Sequence, residues 1–189
     1  MVKTVSSMLP LGTLAPHFAL KDVVSNQLIK FKTAEPYRAS VILFICNHCP
    51  YVKHIAHFFS PFAHKYIAQG IRFIAINAND ITQYPDDSPE NMKQFAQKYD
   101  LPFPYVFDET QEVARAYHAA CTPDFFVFDQ SAALVYRGQF DDSRLGNNIP
   151  VTGASLREAL DCLIQHKPLL ENQKPSLGCN IKWKESISV

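Results

Sequence analysis

One segment of the chain constrains the fold more than any other: an apolar run that leads into a helical pattern through two cysteines. Residues 41–45 are all apolar and mostly β-branched or aromatic, which predicts a strand buried on both faces of a sheet. Apolar residues recur at helical spacing over 51–69, and Gly70 is expected to end that helix. Cys46 and Cys49 lie between the two elements. Because active groups in open α/β sheets gather beyond the carboxyl ends of strands, we expect function at this point.

The rest of the chain alternates predicted strands and helices. Further strands are expected at 71–76, 104–107, 125–128 and 134–136, and further helices from Ser88-Pro89-Glu90, at 108–119 and at 156–164. This alternation predicts the α/β class, with a sheet covered by helices on both faces. The loosely alternating first forty residues predict an N-terminal β-hairpin extension. We expect one domain over 1–189, in which 167–189 is a C-terminal tail packed on the body.

Composition narrows the class of protein. The chain has 18 basic and 18 acidic residues, so no overall charge attracts nucleic acid or an anionic membrane. Residues 1–12 lack the apolar core of a signal peptide, and no run approaches the roughly 18 apolar residues of a membrane helix. The five cysteines, an odd number, do not suggest a secreted disulfide framework. We therefore expect a cytoplasmic protein that binds neither nucleic acid nor a membrane.

Cys46 and Cys49 are the predicted catalytic pair. The thiolate is the nucleophile of disulfide exchange, and a free cysteine, with a pKa of roughly 8.5, is mostly protonated at neutral pH. We expect Cys46 at the helix N-terminus, where unpaired backbone N–H groups and the helix dipole stabilise its thiolate. Cys49 would lie one turn deeper and shielded. The hypothesis is therefore that a solvent-accessible Cys46 attacks and Cys49 resolves the mixed disulfide, without a bound cofactor.

Histidines near the cysteines leave alternatives open. His48 directly precedes Cys49, and an imidazolium there would favour the thiolate and make the disulfide more oxidising; a solvated His48 without such a role is the alternative. His54 and His57 could complete a Cys₂His₂ zinc set with the two cysteines. Four residues separate the two pairs, against roughly 12–15 in a zinc finger, so we expect no metal.

Two acidic residues and two further cysteines are also candidates for the site. Asp86 and Asp87, which precede Ser88, are typical of a turn followed by a helix N-cap. Cys162 on the last predicted helix is expected in the core. Cys179 in the tail is either inert or exchanges with another thiol.

Several segments of the chain resemble a known family. The sequence CNHCPYVKH at 46–54 resembles the active-site segment of a peroxiredoxin-like subgroup of the thioredoxin superfamily, the AhpC/TSA or redoxin-domain proteins. The likeness extends over nearly the whole chain, with further similar segments at 15–18, 76–80, 103–105, 121–126, 136–142 and 178–184. The resemblance implies a thioredoxin-like fold with a central mixed sheet, and an antioxidant enzyme with a redox-active disulfide.

The resemblance also implies what surrounds the cysteines. Thr122-Pro123 matches the superfamily loop whose proline is cis and packs against the CxxC pair. That loop would line a substrate groove beside Cys46. Cys121, two residues before the proline, is either a third redox cysteine or a small buried side chain, and we favour the second.

The chain departs from the patterns of both peroxiredoxins and thioredoxins. Peroxiredoxins have threonine or serine at the position of Cys46, and their peroxide-attacking cysteine matches Cys49. Thioredoxins have a tryptophan and a buried acid where this chain has Ile45 and Ser40. We expect a thiol–disulfide oxidoreductase whose partners are protein or small-molecule thiols and disulfides. A thiol peroxidase that reduces hydroperoxides is one alternative, and a non-catalytic binding module or zinc-binding CxxC protein is another.

Overall fold

The computed structural model describes residues 3–32, 36–169 and 171–185. Its strands are β1 (Lys3–Val5), β2 (Phe18–Lys21), β3 (Leu28–Phe31), β4 (Ala39–Phe44), β5 (Ile71–Asn77), β6 (Tyr105–Phe107), β7 (Cys121–Thr122), β8 (Asp124–Asp129), β9 (Leu134–Gly138) and β10 (Leu177–Asn180). The helices are α1 (Pro50–Ile55), α2 (Phe59–Ile67), α3 (Pro89–Lys98), α4 (Glu112–Ala116) and α5 (Ala154–Ile164), with 3₁₀ turns at Ala56–Phe58 and Pro85–Asp87. Within these described ranges, no helix has the length and apolar character needed to cross a membrane.

The central sheet has five strands in the order β6-β5-β4-β8-β9. β4 pairs in parallel with β5 and antiparallel with β8, so the sheet is mixed, as the resemblance implied. All six residues of β4 are buried, which confirms the prediction of a strand covered on both faces. Phe44 at the end of β4 pairs with Asp124 at the start of β8. The segment that follows β4, which contains both CxxC cysteines, therefore lies beside Thr122 and Pro123.

Two clusters of buried side chains hold the other elements against the two faces of the central sheet. Val41 and Leu43 of β4 join one cluster with side chains of α1, α2, α3 and α5. Ile42 and Phe44 join the other with α4 and the antiparallel β2–β3 hairpin. This alternation follows the two-residue period of a strand. The predicted helices on both faces and the N-terminal hairpin are therefore confirmed.

The predicted helix at 51–69 is divided. α1 ends at Ile55 and α2 begins at Phe59, with a 3₁₀ turn between them. α2 starts with Phe58 as its N-cap residue, and Pro61 is its third residue, where the missing N–H removes no intrahelical hydrogen bond. The predicted helix at 108–119 shortens to α4 because the Asp108 carboxylate accepts a hydrogen bond from the Ala114 N–H at 2.8 Å and organises a turn before it.

The C-terminal tail is more ordered than the sequence predicts. β10 is the middle strand of a second sheet with the order β1-β10-β7, and Cys179 pairs with Thr122 in its register. A Cβ on Gly178 would lie 1.9 Å from the carbonyl oxygen of Thr122, so only glycine allows the two strands to approach this closely. Leu170 and residues 186–189 of the predicted tail lie outside the described residues, and the single-domain boundaries stay a prediction.

Asp124, which follows Pro123, should give the stability of the fold a measurable pH dependence. Its side chain is fully buried, and burial raises the pKa of its carboxyl well above the ordinary 3.8. The stability contributed by such a group is fully present below pH 3.8 and is lost as the pH rises toward the raised value. Asp124→Asn has no charge to bury and should remove this loss, which amounts to about 1.4 kcal/mol per pH unit within that window.

Urea unfolding at about pH 5 and about pH 8 checks this expectation. The difference in unfolding free energy between Asp124→Asn and wild type should shift in favour of the variant at the higher pH. Glu158→Gln, an exposed change on α5, serves as the control and should show the same difference at both values. A pH-independent difference for Asp124→Asn would contradict the assignment.

Candidate active site

The start of α1 decides the environment of the two cysteines. The helix begins at Pro50, with Cys49 as its N-cap residue. Proline is favoured at the first helical position because the N–H it lacks has no intrahelical partner there. Cys46 therefore precedes the helix, and the expectation that it lies at the helix N-terminus is wrong. Both side chains are fully buried, so the expectation of a solvent-accessible Cys46 is also wrong.

Thr122 contacts both cysteines of the pair. Its hydroxyl oxygen lies 3.3 Å from Cys46 Sγ, and its carbonyl oxygen lies 3.2 Å from Cys49 Sγ, where it accepts a hydrogen bond whenever Cys49 is protonated. The peptide bond between Thr122 and Pro123 is cis. The loop implied by the resemblance is therefore present, in the implied conformation and beside both sulfurs.

Cys179 brings a third thiol to the pair. Its Sγ lies 2.9 Å from Cys49 Sγ, although 130 positions separate the two residues in the chain. The pairing of β10 with β7 produces this contact, because it sets Cys179 opposite Thr122. The sequence left the role of Cys179 open, because no local pattern predicts a strand pairing over that separation in the chain.

A buried carboxylate, Asp87, organises the loop on the other side of Cys46. Its Oδ1 accepts the backbone N–H of Asn47 at 2.7 Å, and its Oδ2 lies 2.6 Å from His48 Nδ1 and accepts from Asn79 Nδ2 at 2.7 Å. Burial acts to raise the pKa of Asp87, but the hydrogen bonds from His48, Asn79 and Asn47 outweigh it and lower that pKa. Asp87 is thus an ionised group within the site, and its assignment to turn chemistry alone is wrong. Ser88 is the N-cap of α3, as predicted.

The His48 ring is fixed by contacts with Asp87 and Tyr84 rather than surrounded by solvent. Besides its 2.6 Å contact with Asp87, its ring stacks on Tyr84 with centroids 5.4 Å apart, and its Nδ1 lies 3.9 Å from Cys46 Sγ. The nearer charge to its ring nitrogen is the carboxylate and not the sulfur. The proposed effect of His48 on the redox potential stays a prediction.

The reduced pair shares its protons unequally. The neighbouring Cys46 thiol lowers the pKa of Cys49, with smaller contributions from the Cys179 thiol and from the Val52 N–H at the start of α1, against the opposing effect of burial. Burial raises the pKa of Cys46, as do its hydrogen bond to Cys49 and the negative charge of Asp87. The resting thiolate of the pair is therefore stabilised at Cys49, next to the start of α1.

The remaining cysteines lie outside this constellation. The Cys121 thiol contacts the carbonyl oxygen of Pro123 at 3.8 Å, and burial raises its pKa. These contacts fit a packed side chain, the role that the sequence favours; a relay through Cys121 stays a prediction. Cys162 lies on α5 and is only partly buried, so its prediction as a core residue is wrong.

The zinc set that the sequence allowed is not assembled. His54 Nε2 lies 2.8 Å from Ser143 Oγ, and the His57 ring packs edge-on against Tyr99 with centroids 4.9 Å apart. Within the described part of the chain, the one group with metal-ligand spacing is Cys46, His48 and Asp87. A metal ion there would have to part the 2.6 Å contact between His48 and Asp87.

Comparison with known proteins identifies the family. Residues 11–137 match the AhpC/TSA family profile, which is more than half of the 189 residues. The chain therefore belongs to the AhpC/TSA family, and its fold is thioredoxin-like. Both findings confirm what the resemblance implied. No curated protein matches the chain.

Solved structures show how far the architecture is shared. An uncharacterised conserved protein from Geobacillus kaustophilus is 55% identical, with a TM-score of 0.96 and coverage of 98% of each chain. The hypothetical protein SMc02350 from Sinorhizobium meliloti 1021 is 43% identical, with a TM-score of 0.94 over 97% of this chain and 100% of that chain. A secreted Mycobacterium tuberculosis disulfide oxidoreductase homologous to E. coli DsbE is 15% identical, with a TM-score of 0.59 over 77% and 95% of the two chains. The third similarity shows the fold alone.

Removal of the Asp87 charge should make Cys46 more acidic. In a Cys49→Ser background, Asp87→Asn should shift the pH profile of Cys46 alkylation to lower pH and raise its rate at neutral pH by about tenfold per pKa unit. The reason is that the Asp87 charge raises the pKa of Cys46. Alkylation by iodoacetamide, followed by mass spectrometry of the labelled peptide, measures the profile.

Asp86→Asn is the matched control for this test. Asp86 is the exposed neighbour of Asp87, and it contributes a backbone carbonyl that accepts from Asn47 Nδ2 at 2.9 Å, which the substitution leaves in place. Its profile should coincide with that of the background variant. An unshifted profile in Asp87→Asn would contradict an electrostatic effect of Asp87 on Cys46.

Proposed function

We propose that this protein is a thiol–disulfide oxidoreductase that cycles Cys46 and Cys49 between a dithiol and a disulfide. The observation that carries the proposal is the position of Thr122, which presents its hydroxyl 3.3 Å from the sulfur of Cys46 and its carbonyl oxygen 3.2 Å from that of Cys49. Cysteines that only fill space need no polar partners. A dithiol that loses and regains protons needs both a donor and an acceptor, and Thr122 offers one of each.

The proposal gives the attack to Cys46 and the resolution to Cys49. In the proposed resting state Cys46 carries the proton, because its pKa is raised and that of Cys49 is lowered. Transfer of that proton to Cys49 leaves a Cys46 thiolate beside the Thr122 hydroxyl and a Cys49 thiol beside the Thr122 carbonyl oxygen. The site thus accommodates both positions of the proton. In this proposal Cys49 accepts the proton when Cys46 becomes the attacking thiolate, and the low pKa of Cys49 keeps that form a minor one at rest.

The exchange cycle follows from these roles. The Cys46 thiolate attacks one sulfur of a substrate disulfide, and the other sulfur leaves as a thiolate and takes up a proton. Cys49, whose low pKa favours deprotonation, then attacks the sulfur of Cys46 and releases the second substrate thiol. The reverse sequence oxidises a substrate dithiol. Because both sulfurs are fully buried, a substrate needs the site to open, and a small opening admits small-molecule thiols and disulfides before protein partners.

A thiol peroxidase is the second candidate function, and the lowered pKa of Cys49 favours it. Cys49 caps α1 and stands at the position that matches the peroxide-attacking cysteine of peroxiredoxins. A hydroperoxide is small enough to reach a buried thiolate. Its attack would give a sulfenic acid on Cys49 and release water or an alcohol, and condensation with the Cys46 thiol would form the same disulfide and release water.

A cytoplasmic location belongs to the same proposal. The odd number of cysteines and the balance of 18 basic and 18 acidic residues support it. In a reducing compartment the reduced pair is the resting form. Neither nucleic acid nor a membrane is among the proposed partners.

Replacement of either cysteine should abolish turnover. Cys46→Ser and Cys49→Ser should each lower the dithiothreitol-coupled reduction of bis(2-hydroxyethyl) disulfide by about 100-fold or more, because each supplies one sulfur of the cycle. Cys49→Ser should also retain the substrate as a mixed disulfide on Cys46, visible by intact-protein mass spectrometry. Cys162→Ser, a change on α5, is the control and should keep the wild-type rate.

Two results decide between the candidates. Wild-type turnover of the disulfide by Cys46→Ser would refute the proposed cycle. Consumption of hydrogen peroxide by wild type and Cys46→Ser, but not by Cys49→Ser, would establish the peroxidase instead. If wild type turns over neither substrate faster than Cys46→Ser/Cys49→Ser does, both candidate activities are refuted.

A further inference from the structure

The proposed cycle leaves one nearby thiol unused. Cys179 Sγ lies 2.9 Å from Cys49 Sγ, and both side chains are buried. A disulfide bond is about 2.0 Å long, so the two sulfurs need to approach by less than about 1 Å to be joined. Cys49 therefore has a potential disulfide partner on each of two elements, Cys46 on its own loop and Cys179 on β10.

The position of Cys179 is fixed by the backbone around it. β10 pairs with β7 so that Cys179 lies opposite Thr122, and Gly178 allows the close approach. Beyond the strand, the Ile181 N–H donates to the carbonyl oxygen of Ala120 at 3.1 Å, and the Lys182 N–H donates to Asn79 Oδ1 at 2.8 Å. Contacts on both sides thus hold this thiol against the pair, and it reaches Cys49 without a large movement of the tail.

The charges around Cys179 change when Cys49 is oxidised. In the reduced protein, burial raises the pKa of Cys179, and so do its hydrogen bond to Cys49 and the negative charge there, whereas Lys182 acts to lower it. A Cys49 sulfur within a disulfide carries no negative charge. Oxidation of the pair therefore removes two of the effects that raise the pKa of Cys179, while burial and Lys182 act as before, so the Cys179 thiolate forms more readily once there is a disulfide to attack.

We propose that Cys179 is a second resolving cysteine, which displaces Cys46 from the Cys46–Cys49 disulfide once that disulfide has formed. The Cys179 thiolate attacks the sulfur of Cys49, the bond between Cys49 and Cys179 forms, and the bond between Cys46 and Cys49 breaks. Cys46 leaves as a thiolate and takes up the proton that Cys179 gave up, so the step is an isomerisation without an added oxidant. This inference rests on the proposed redox cycle. The isomerisation would free Cys46 for a second substrate while Cys49 and Cys179 hold the disulfide beneath β10.

The test uses a variant in which Cys46 cannot compete. Reduced Cys46→Ser is treated with one equivalent of diamide, which oxidises two thiols to a disulfide and is itself reduced to the hydrazine. Remaining thiols are blocked with N-ethylmaleimide in acid, and non-reduced peptides are mapped by mass spectrometry. We expect a disulfide between Cys49 and Cys179 within one chain. Cys46→Ser/Cys121→Ser is the matched control and should form it equally, because the Cys121 thiol contacts the carbonyl oxygen of Pro123 instead.

The outcomes separate the inference from the function on which it rests. A Cys49–Cys179 disulfide in Cys46→Ser, absent from Cys46→Ser/Cys179→Ser, supports the inference even if the wild type turns over no substrate. Only intermolecular disulfides, or a Cys49 thiol that remains open to N-ethylmaleimide, would overturn it, even where the wild type and Cys179→Ser both cycle their Cys46–Cys49 disulfide.

A time course on wild-type protein covers the case in which Cys46→Ser does not fold. After a pulse of diamide, acid quenching should trap the Cys46–Cys49 disulfide first and the Cys49–Cys179 disulfide later, with a matching return of Cys46 to alkylation. A Cys46–Cys49 disulfide that persists alone, with Cys46 never regaining reactivity, would overturn the inference.

Discussion

The contact of Thr122 with its neighbours is the constraint on which the rest of the site depends. Its hydroxyl meets Cys46, its carbonyl oxygen meets Cys49, and its strand β7 pairs with β10. The same carbonyl oxygen lies so close to Gly178 that the tail strand admits no side chain there. One residue therefore fixes the dithiol, the cis-proline loop and the third thiol relative to one another.

The electrostatics of the site follow from where the helix begins. The neighbouring Cys46 thiol contributes most to the low pKa of Cys49, and Pro50, which fixes the start of α1, adds the effect of the helix terminus. On the other side, the buried Asp87 carboxylate keeps negative charge away from Cys46. The two influences act in the same direction, and together they place the resting charge on the inner cysteine. A low pKa at Cys49 suits a resolving thiol, which must attack as a thiolate, as well as a peroxide-attacking one, which explains why both candidate activities rest on the same sulfur.

Local sequence patterns predicted the parts of this structure that local interactions determine. The apolar run at 41–45 predicted β4, and the CxxC spacing located the site at its end. Family resemblance, and not periodicity, supplied the cis Thr122–Pro123 bond. The role of Asp87 in the site was not predicted, because turn and helix-capping chemistry already explains acidic residues before Ser88. The contact of Cys179 with the pair was not predicted either, because it depends on the pairing of β10 with β7, which joins residues far apart in the chain.

The central claim is that the reduced site holds one buried thiolate, at Cys49. Ultraviolet titration of thiolate absorbance in the reduced protein tests this most directly. The account predicts one thiolate that persists well below the pKa of roughly 8.5 of a free cysteine, that remains in Cys46→Ser and that disappears in Cys49→Ser. A low-pH thiolate that survives in Cys49→Ser and disappears in Cys46→Ser would contradict the account.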